Sequence, residues 1–346
     1  MANNEHYKQI DLPFYQNKVA HILPPEILDF HAHIWTREHW KEVPWEIRPR
    51  RTGSKYMVTL EEYGTERLLS DAKTIFPDRQ YNAVVFGYPT PAADLDKTND
   101  YAAKSASGGQ DLYPLLITGR GLIAKPELVN KIRNEGFFGY KVLLNWFGDD
   151  YGQVRVEDMI GPEEMSLADE LGLVVLLHVP RSKRLTDPVV QHGVRDYARD
   201  YPNAQIVLAH CGRCYHPDEM KAAIGSIRDL KNVYLDTAMV MDPTVVQIVL
   251  DNVDSSRVLF GTDFPVANMR GRRVYVMDHW VDVVLPGYPS SAYRIASDDI
   301  RATFMAYEII LAIKRAGEMV GLTQEQLSGI FYKNGMALLH RVREIE

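Results

Sequence analysis

Short apolar runs rich in β-branched residues recur along the chain, at 27–30, 83–86, 115–117, 140–144, 174–179, 206–209, 233–235 and 258–260. In the second half they are nearly continuous in apolar character rather than alternating. Strands buried on both faces of a parallel sheet read this way. From 140 onward their starts are 34, 32, 27 and 25 residues apart, which leaves room for a helix between successive strands. The helices carry their own signals. Gly161-Pro162-Glu163-Glu164 opens one, with proline first and acids in the first turn, and Gly172 closes it. Asp187-Pro188 and Asp242-Pro243 open two more. Thr323 and Gln326 have capping-box spacing.

Eight strands alternating with helices predict an α/β fold, a single (β/α)8 TIM barrel, with an open doubly wound sheet as the alternative. The Trp-, Arg- and Pro-rich segment 34–57 reads as an insertion after the first strand, followed by a helix over 59–74. From Asp298 onward the pattern is helical, giving extra C-terminal helices. No Gly/Ser linker or low-complexity tract interrupts the chain, so 1–346 is expected to be one domain.

Composition changes this picture little. Of 346 residues, 46% are hydrophobic and 25% charged, and the net charge of −7 excludes the broad basic face of a nucleic-acid binder. Arg48, Arg50 and Arg51 form one local basic cluster, read as a solvated loop. Two cysteines make no disulfide framework, and the N-terminus lacks the apolar stretch of a secretory signal. Nothing approaches the roughly 20 apolar residues that span a bilayer. A cytoplasmic protein with no membrane or nucleic-acid partner is expected.

The candidate chemistry lies where the apolar runs end. His31 and His33 are two apart on a strand, so both imidazoles share a face and can serve one cation. His178 ends the run at 174, His210 ends the run at 206, and Asp263 follows the run at 258. A carboxylate in such apolar surroundings needs a partner, and a metal ion supplies one. In a closed parallel barrel these strand ends form one ring, so residues 145, 32 and 53 positions apart converge. Arg213, Arg181, Trp35, Trp146 and Tyr88 also follow strand ends and are candidates for lining the pocket, Arg213 to hold a substrate carboxylate. Lys141 falls near the middle of its run, with Asn145 and Trp146 nearer the mouth, so one metal ion rather than a lysine-bridged pair is expected. Cys211-Gly-Arg-Cys214 is read as a coincidental CxxC.

The stretches LDFHAH, VVLLHVP, YPNAQIVLAHCGR, NVYLDTA and VLFGTDFP resemble the amidohydrolase superfamily. Within it they resemble the branch that includes aminocarboxymuconate semialdehyde decarboxylase and related decarboxylases and hydrolases. The closing IFYKNGMALL is similar to that branch's final helix, with Asn334-Gly335 where an Asn-Ala pair is usual. The resemblance implies His31, His33 and His178 as metal ligands, Asp263 as ligand or proton carrier, and His210 as a group acting on substrate or water. It also implies one divalent ion, zinc foremost with manganese or iron as alternatives, and a possible homodimer. The leading expectation is hydrolysis of a lactone, amide or related bond in a small carboxylate-bearing substrate. In it an ion-activated water attacks, Asp263 carries the proton and His210 helps polarise the carbonyl. The alternatives are a non-oxidative decarboxylase and an inactive barrel used for binding.

Overall fold

The computed structural model describes residues 4–41, 55–106, 111–147, 152–276, 279–288 and 301–342. The Arg48, Arg50 and Arg51 cluster lies outside them. The first two staves are β1 (Glu26–His33) and β2 (Gln80–Phe86). The third is made of two pieces, β3 (Leu112–Pro114) and β4 (Leu116–Ile117). The rest are β5 (Gly139–Val142), β6 (Val174–Leu177), β7 (Gln205–Leu208), β8 (Val233–Asp236) and β9 (Val258–Leu259). Every pairing among them is parallel, each stave with its sequence neighbour. β3 pairs with β2 and β4 with β5, and Leu115 N still donates to Val85 O at 2.9 Å, so the third stave carries the sheet across its break.

The last stave returns to the first. Phe30 N donates to Phe260 O (2.8 Å), Asp263 N to His31 O (2.8 Å) and His33 N to Phe264 O (2.9 Å). These bonds join β1 to the segment after β9 and bring round the ring expected of a (β/α)8 barrel.

The predicted helix starts hold because of their caps. Asp187 accepts from Val189 N at 2.9 Å ahead of Pro188–Asp200, and Asp242 from Thr244 N at 2.8 Å ahead of Pro243–Asn252. Gly172 ends Pro162–Leu171 with φ 65°. The helix expected over 59–74 is Thr65–Ile75, preceded by a short turn at Lys55–Val58. The C-terminal helices are Met305–Val320, Gln324–Phe331 and Lys333–Leu339. Two features were not anticipated: helical segments between Asn4 and Val19, and an antiparallel hairpin, β10 (Gly271–Val276) with β11 (His279–Val284). Among the described residues no helix is long and apolar enough to cross a membrane.

Inside the ring, Leu28, Phe30, Val84, Phe86, Leu143, Val174, Leu176, Val207, Tyr234 and Leu259 form a buried cluster that Leu338 and Leu339 join from the last helix. The strand periodicity of two carries each stave's inward side from this apolar floor to a polar residue above it: Leu176 to His178, Tyr234 to Asp236. On β1 the register shifts between Asp29 and Ala32. Such a bulge re-aims side chains. Below it Leu28 and Phe30 join the floor, and above it His31 and His33 meet the ring of Phe86 at 5.1 and 4.6 Å.

Candidate metal centre

The donor atoms of His31, His33 and Asp263 lie within 4.8 Å of one another, and so do those of His31, His210 and Asp236. His31 belongs to both groups and stands at the centre. Its Nδ1 donates to Asp236 Oδ2 at 2.9 Å, which leaves Nε2 toward Asp263 Oδ1 at 3.5 Å. His33 is oriented in the same way: Nδ1 donates to Gly87 O at 2.8 Å and Nε2 faces Asp263 Oδ1 at 3.3 Å. A partner on one ring nitrogen fixes the tautomer and presents the other as a lone pair, which is how ligating imidazoles are held. His210 donates Nδ1 to Ala238 O at 3.0 Å, and its ring lies 4.7 Å from that of His31. His178 stands further round, with its ring edge-on to His210 at 5.2 Å.

Electrostatics suits cation binding. Burial holds His31 and His178 well below the usual imidazole range, helped at His31 by Lys141 and at His178 by Arg213. Both are therefore neutral at neutral pH, the form that ligates. Burial also lowers His210. Burial raises Asp263, and its histidine neighbours oppose that only as far as they carry protons. With His31 and His33 protonated on Nδ1, the Asp263 oxygen and two Nε2 lone pairs are three acceptors facing one point.

At this centre the sequence reading lacks one group and misplaces another. Asp236 ends β8, fully buried, and gathers the site: besides His31 it accepts from His210 N at 2.7 Å and Ala238 N at 3.0 Å. The signal was present, since Asp236 closes an apolar run just as His178 and His210 do. Lys141 corrects an expectation. β5 ends at Val142 and 144–146 form a 3-10 turn, so Lys141 is the penultimate strand residue and not a mid-strand one. Its Nζ reaches His31 Nε2 at 3.1 Å. Burial lowers its pKa to about 7, against the opposing pull of Asp236 and Asp263.

The five pocket candidates are placed differently. Arg213 Nη1 donates to Val179 O (3.0 Å) and Arg181 O (3.3 Å), beside His178. Arg181 is turned to Asp187 at 2.9 Å, at the head of a helix. Trp35 and Tyr88 are fully buried and meet edge-to-face at 4.7 Å. Trp146 is half-buried, with Lys41 5.9 Å from its ring. Cys211 and Cys214 are buried free thiols, and Cys211 Sγ donates to Asp236 O at 3.3 Å.

The backbone around His210 is unusual. His210, Cys211, Gly212 and Arg213 have φ of 55°, 50°, 68° and 62°, a full turn in the left-handed region. Each non-glycine residue there costs on the order of 1–2 kcal/mol. A side chain at Gly212 would also strike Leu185, whose Cδ2 lies 2.6 Å from the Cβ position. Glycine is therefore required at 212, bonds from His210 N to Asp236 and from Arg213 N to Ala209 O hold the turn, and strain of this kind concentrates at functional sites.

Comparison with known proteins gives a consistent picture. The family profile described as Amidohydrolase matches residues 28–341. No curated protein matches the chain. Several solved structures share the fold at low identity. A 4-oxalomesaconate hydratase from Rhodopseudomonas palustris is 15% identical with TM-score 0.56, covering 91% of this chain and 96% of its own. A 2,6-dihydroxybenzoate decarboxylase bound to 2,6-dihydroxybenzoate is 13% identical with TM-score 0.54, covering 92% and 99%. A probable 2-pyrone-4,6-dicarboxylic acid hydrolase from Acinetobacter baumannii, with citric acid bound, is 14% identical with TM-score 0.54, covering 91% and 99%.

Proposed function

This chain belongs to the amidohydrolase family, and we propose that it is a metal-dependent hydrolase opening a lactone, amide or related bond in a small carboxylate-bearing substrate. The observation that carries the reading is the convergence of His31, His33 and Asp263 donors within 4.8 Å at the strand ends. The donor set fits a divalent ion. Two of its imidazoles are tautomer-fixed with Nε2 toward one carboxylate, and burial keeps His31 and His178 neutral. In this reading His31, His33, His178 and Asp263 hold the ion. Three imidazoles and a carboxylate suit zinc first, then manganese or iron. Bound there, a divalent ion supplies a water of lowered pKa and a positive pole for a carbonyl oxygen.

The protein's own groups divide the proton work. Asp263, whose oxygen faces the same point as the two Nε2 atoms, would take the proton and return it to the leaving group. His210 is neutral and donates Nδ1 to Ala238 O, so its Nε2 offers a lone pair. It therefore acts as a hydrogen-bond or proton acceptor. This revises the expectation that it polarises a carbonyl, which requires a proton on Nε2. Asp236 does not reach for substrate; it orients His31 and the backbone of His210.

The test is turnover by zinc-reconstituted protein on a panel of lactones, amides and aromatic acids, with metal content measured on the same samples. Ring opening or amide cleavage that is lost in His210→Asn with zinc retained is the expected result. Release of CO2 from the acids without lactone or amide turnover moves the assignment to a decarboxylase. Failure to take up stoichiometric metal overturns the metal-dependent reading.

A further inference from the structure

The β10–β11 hairpin belongs to no stave of the barrel, yet it is docked on the loops that follow β7 and β8. Tyr275 donates to Glu219 Oε1 at 3.0 Å and its ring meets that of His216 at 4.3 Å. Arg272 Nη2 donates to Met241 O at 3.0 Å. These loops surround the strand ends that carry His210 and Asp236, so the hairpin lies at the mouth of the candidate metal centre.

Its polarity is reversed. Directly opposed residues of an antiparallel pair share a face. The register therefore puts Arg273, Tyr275, Trp280 and Asp282 together on one face, and Val274, Val276, Val281 and Val283 on the other. A hairpin that simply covered a core would turn the valines inward. Here Arg273, Tyr275, Trp280 and Asp282 face the barrel loops; of the other face, Arg272 reaches round to Met241 O and Val276 is 42% exposed.

Arg273 occupies the middle of that inner face. Its guanidinium lies 3.9 Å from the Trp280 ring and 5.0 Å from the Tyr215 ring. The Tyr215 ring is in turn 6.2 Å from that of His210. Nε and Nη2 grip Asp282 in a two-pronged pair at 2.8 and 3.0 Å. The guanidinium is thus packed against two rings and fixed along one edge. Among the described residues its Nη1 has no hydrogen-bond partner, and the side chain is 10% exposed. Asp282, Tyr215 and Asp263 hold it protonated against the effect of burial.

We propose that Arg273 is the specificity-determining residue of this site, presenting its open Nη1 edge to a carboxylate of the substrate. A guanidinium held in one plane binds a planar oxyanion with little ordering cost, because its conformational freedom is already spent. The inference rests on the hydrolase reading only in taking this mouth as the substrate entrance; it does not depend on which bond is broken.

The test is binding rather than turnover. Isophthalate, its neutral diamide and inorganic phosphate are titrated calorimetrically into zinc-reconstituted protein. The variants are Arg273→Gln, the charge-balanced Arg273→Gln/Asp282→Asn, and Val276→Gln as a control on the opposite, exposed hairpin face. The expected result is loss of isophthalate affinity by about tenfold or more in both Arg273 variants. Val276→Gln should match the native protein, and the diamide should bind weakly everywhere. The double variant keeps the hairpin neutral, so equal loss in both separates recognition from misfolding. The proposal is overturned if the double variant binds isophthalate like the native protein. It is equally overturned if the diamide binds as tightly as the dianion, if phosphate binds more tightly, or if isophthalate does not bind at millimolar concentration. A protein that binds isophthalate through Arg273 but turns over nothing would sink the hydrolase reading alone.

Discussion

Replacing Asp236 with Asn is a sharp probe of the centre, because the two residues are isosteric and differ only in charge and donors. Oδ1 accepts from His210 N and Ala238 N, and an amide oxygen keeps both bonds. The position of Oδ2 then carries an NH2 group facing the Nδ1–H of His31 at 2.9 Å. Two donors face each other. Either the bond is lost, or His31 moves its proton to Nε2, the atom it turns toward Asp263. Both outcomes remove a ligand lone pair or its support. A charge-assisted hydrogen bond contributes about 1.5–3 kcal/mol, and loss of such a partner behind a ligating histidine weakens metal affinity by roughly 10–100-fold. The assay is zinc titration of metal-stripped protein against a competing chelator, with thermal unfolding of the metal-free form alongside. Zinc affinity in Asp236→Asn within about twofold of the native value would refute the reasoning, and with it the orienting role of Asp236.

Asp29 takes four hydrogen bonds: two tie β1 to the segment after β9, from Thr262 N (2.8 Å) and Thr262 Oγ1 (2.5 Å), one comes from Tyr81 Oη on β2 (2.8 Å) and one from His31 N within β1 (3.0 Å). Asp29→Ala orphans these donors and should cost about 3 kcal/mol or more in chemical denaturation; a loss under about 1 kcal/mol would count against this account. Lys141, at about 7 in the folded protein and about 10.4 unfolded, leaves the unfolded chain with more bound protons between those values. Stability of metal-free protein should therefore gain from this group as pH rises from 7 to 10, and Lys141→Met should remove that slope in denaturation curves taken across the range. At Gly335 an added Cβ would sit 2.7 Å from Leu28 Cδ2 and 3.0 Å from Phe30 Cδ2. Gly335→Ala should overpack this contact by about 1–3 kcal/mol, read as a lowered Tm, despite alanine's better helix propensity.

The barrel was legible because doubly buried strands leave unbroken apolar runs. The expected starts at 174, 233 and 258 coincide with β6, β8 and β9, and helices open where Asp-Pro and Gly-Pro pairs cap them. Strand ends were less legible. The apolar run from 140 continues through Leu144, but the strand stops at Val142, and that difference hid the reach of Lys141. Asp236 was passed over although it stands in the same kind of position as the histidines. The hairpin was missed because its alternation sets Arg, Tyr, Trp and Asp against valines, and no apolar run marks it. The shift in β1 that turns His31 and His33 inward is set by cross-strand bonding, which no local pattern announces.

The left-handed turn at 210–213 has an energetic corollary. Three side chains are held where an L-amino acid resists lying, and the neighbouring barrel supplies the force. The segment is a loaded spring, kept wound by the Asp236 carboxylate beneath His210 and by the bonds of Arg213 to Ala209 O and Val179 O. Protein engineers who relax it, for instance with glycine at Cys211, should obtain a sturdier scaffold whose imidazole and guanidinium no longer keep their aim.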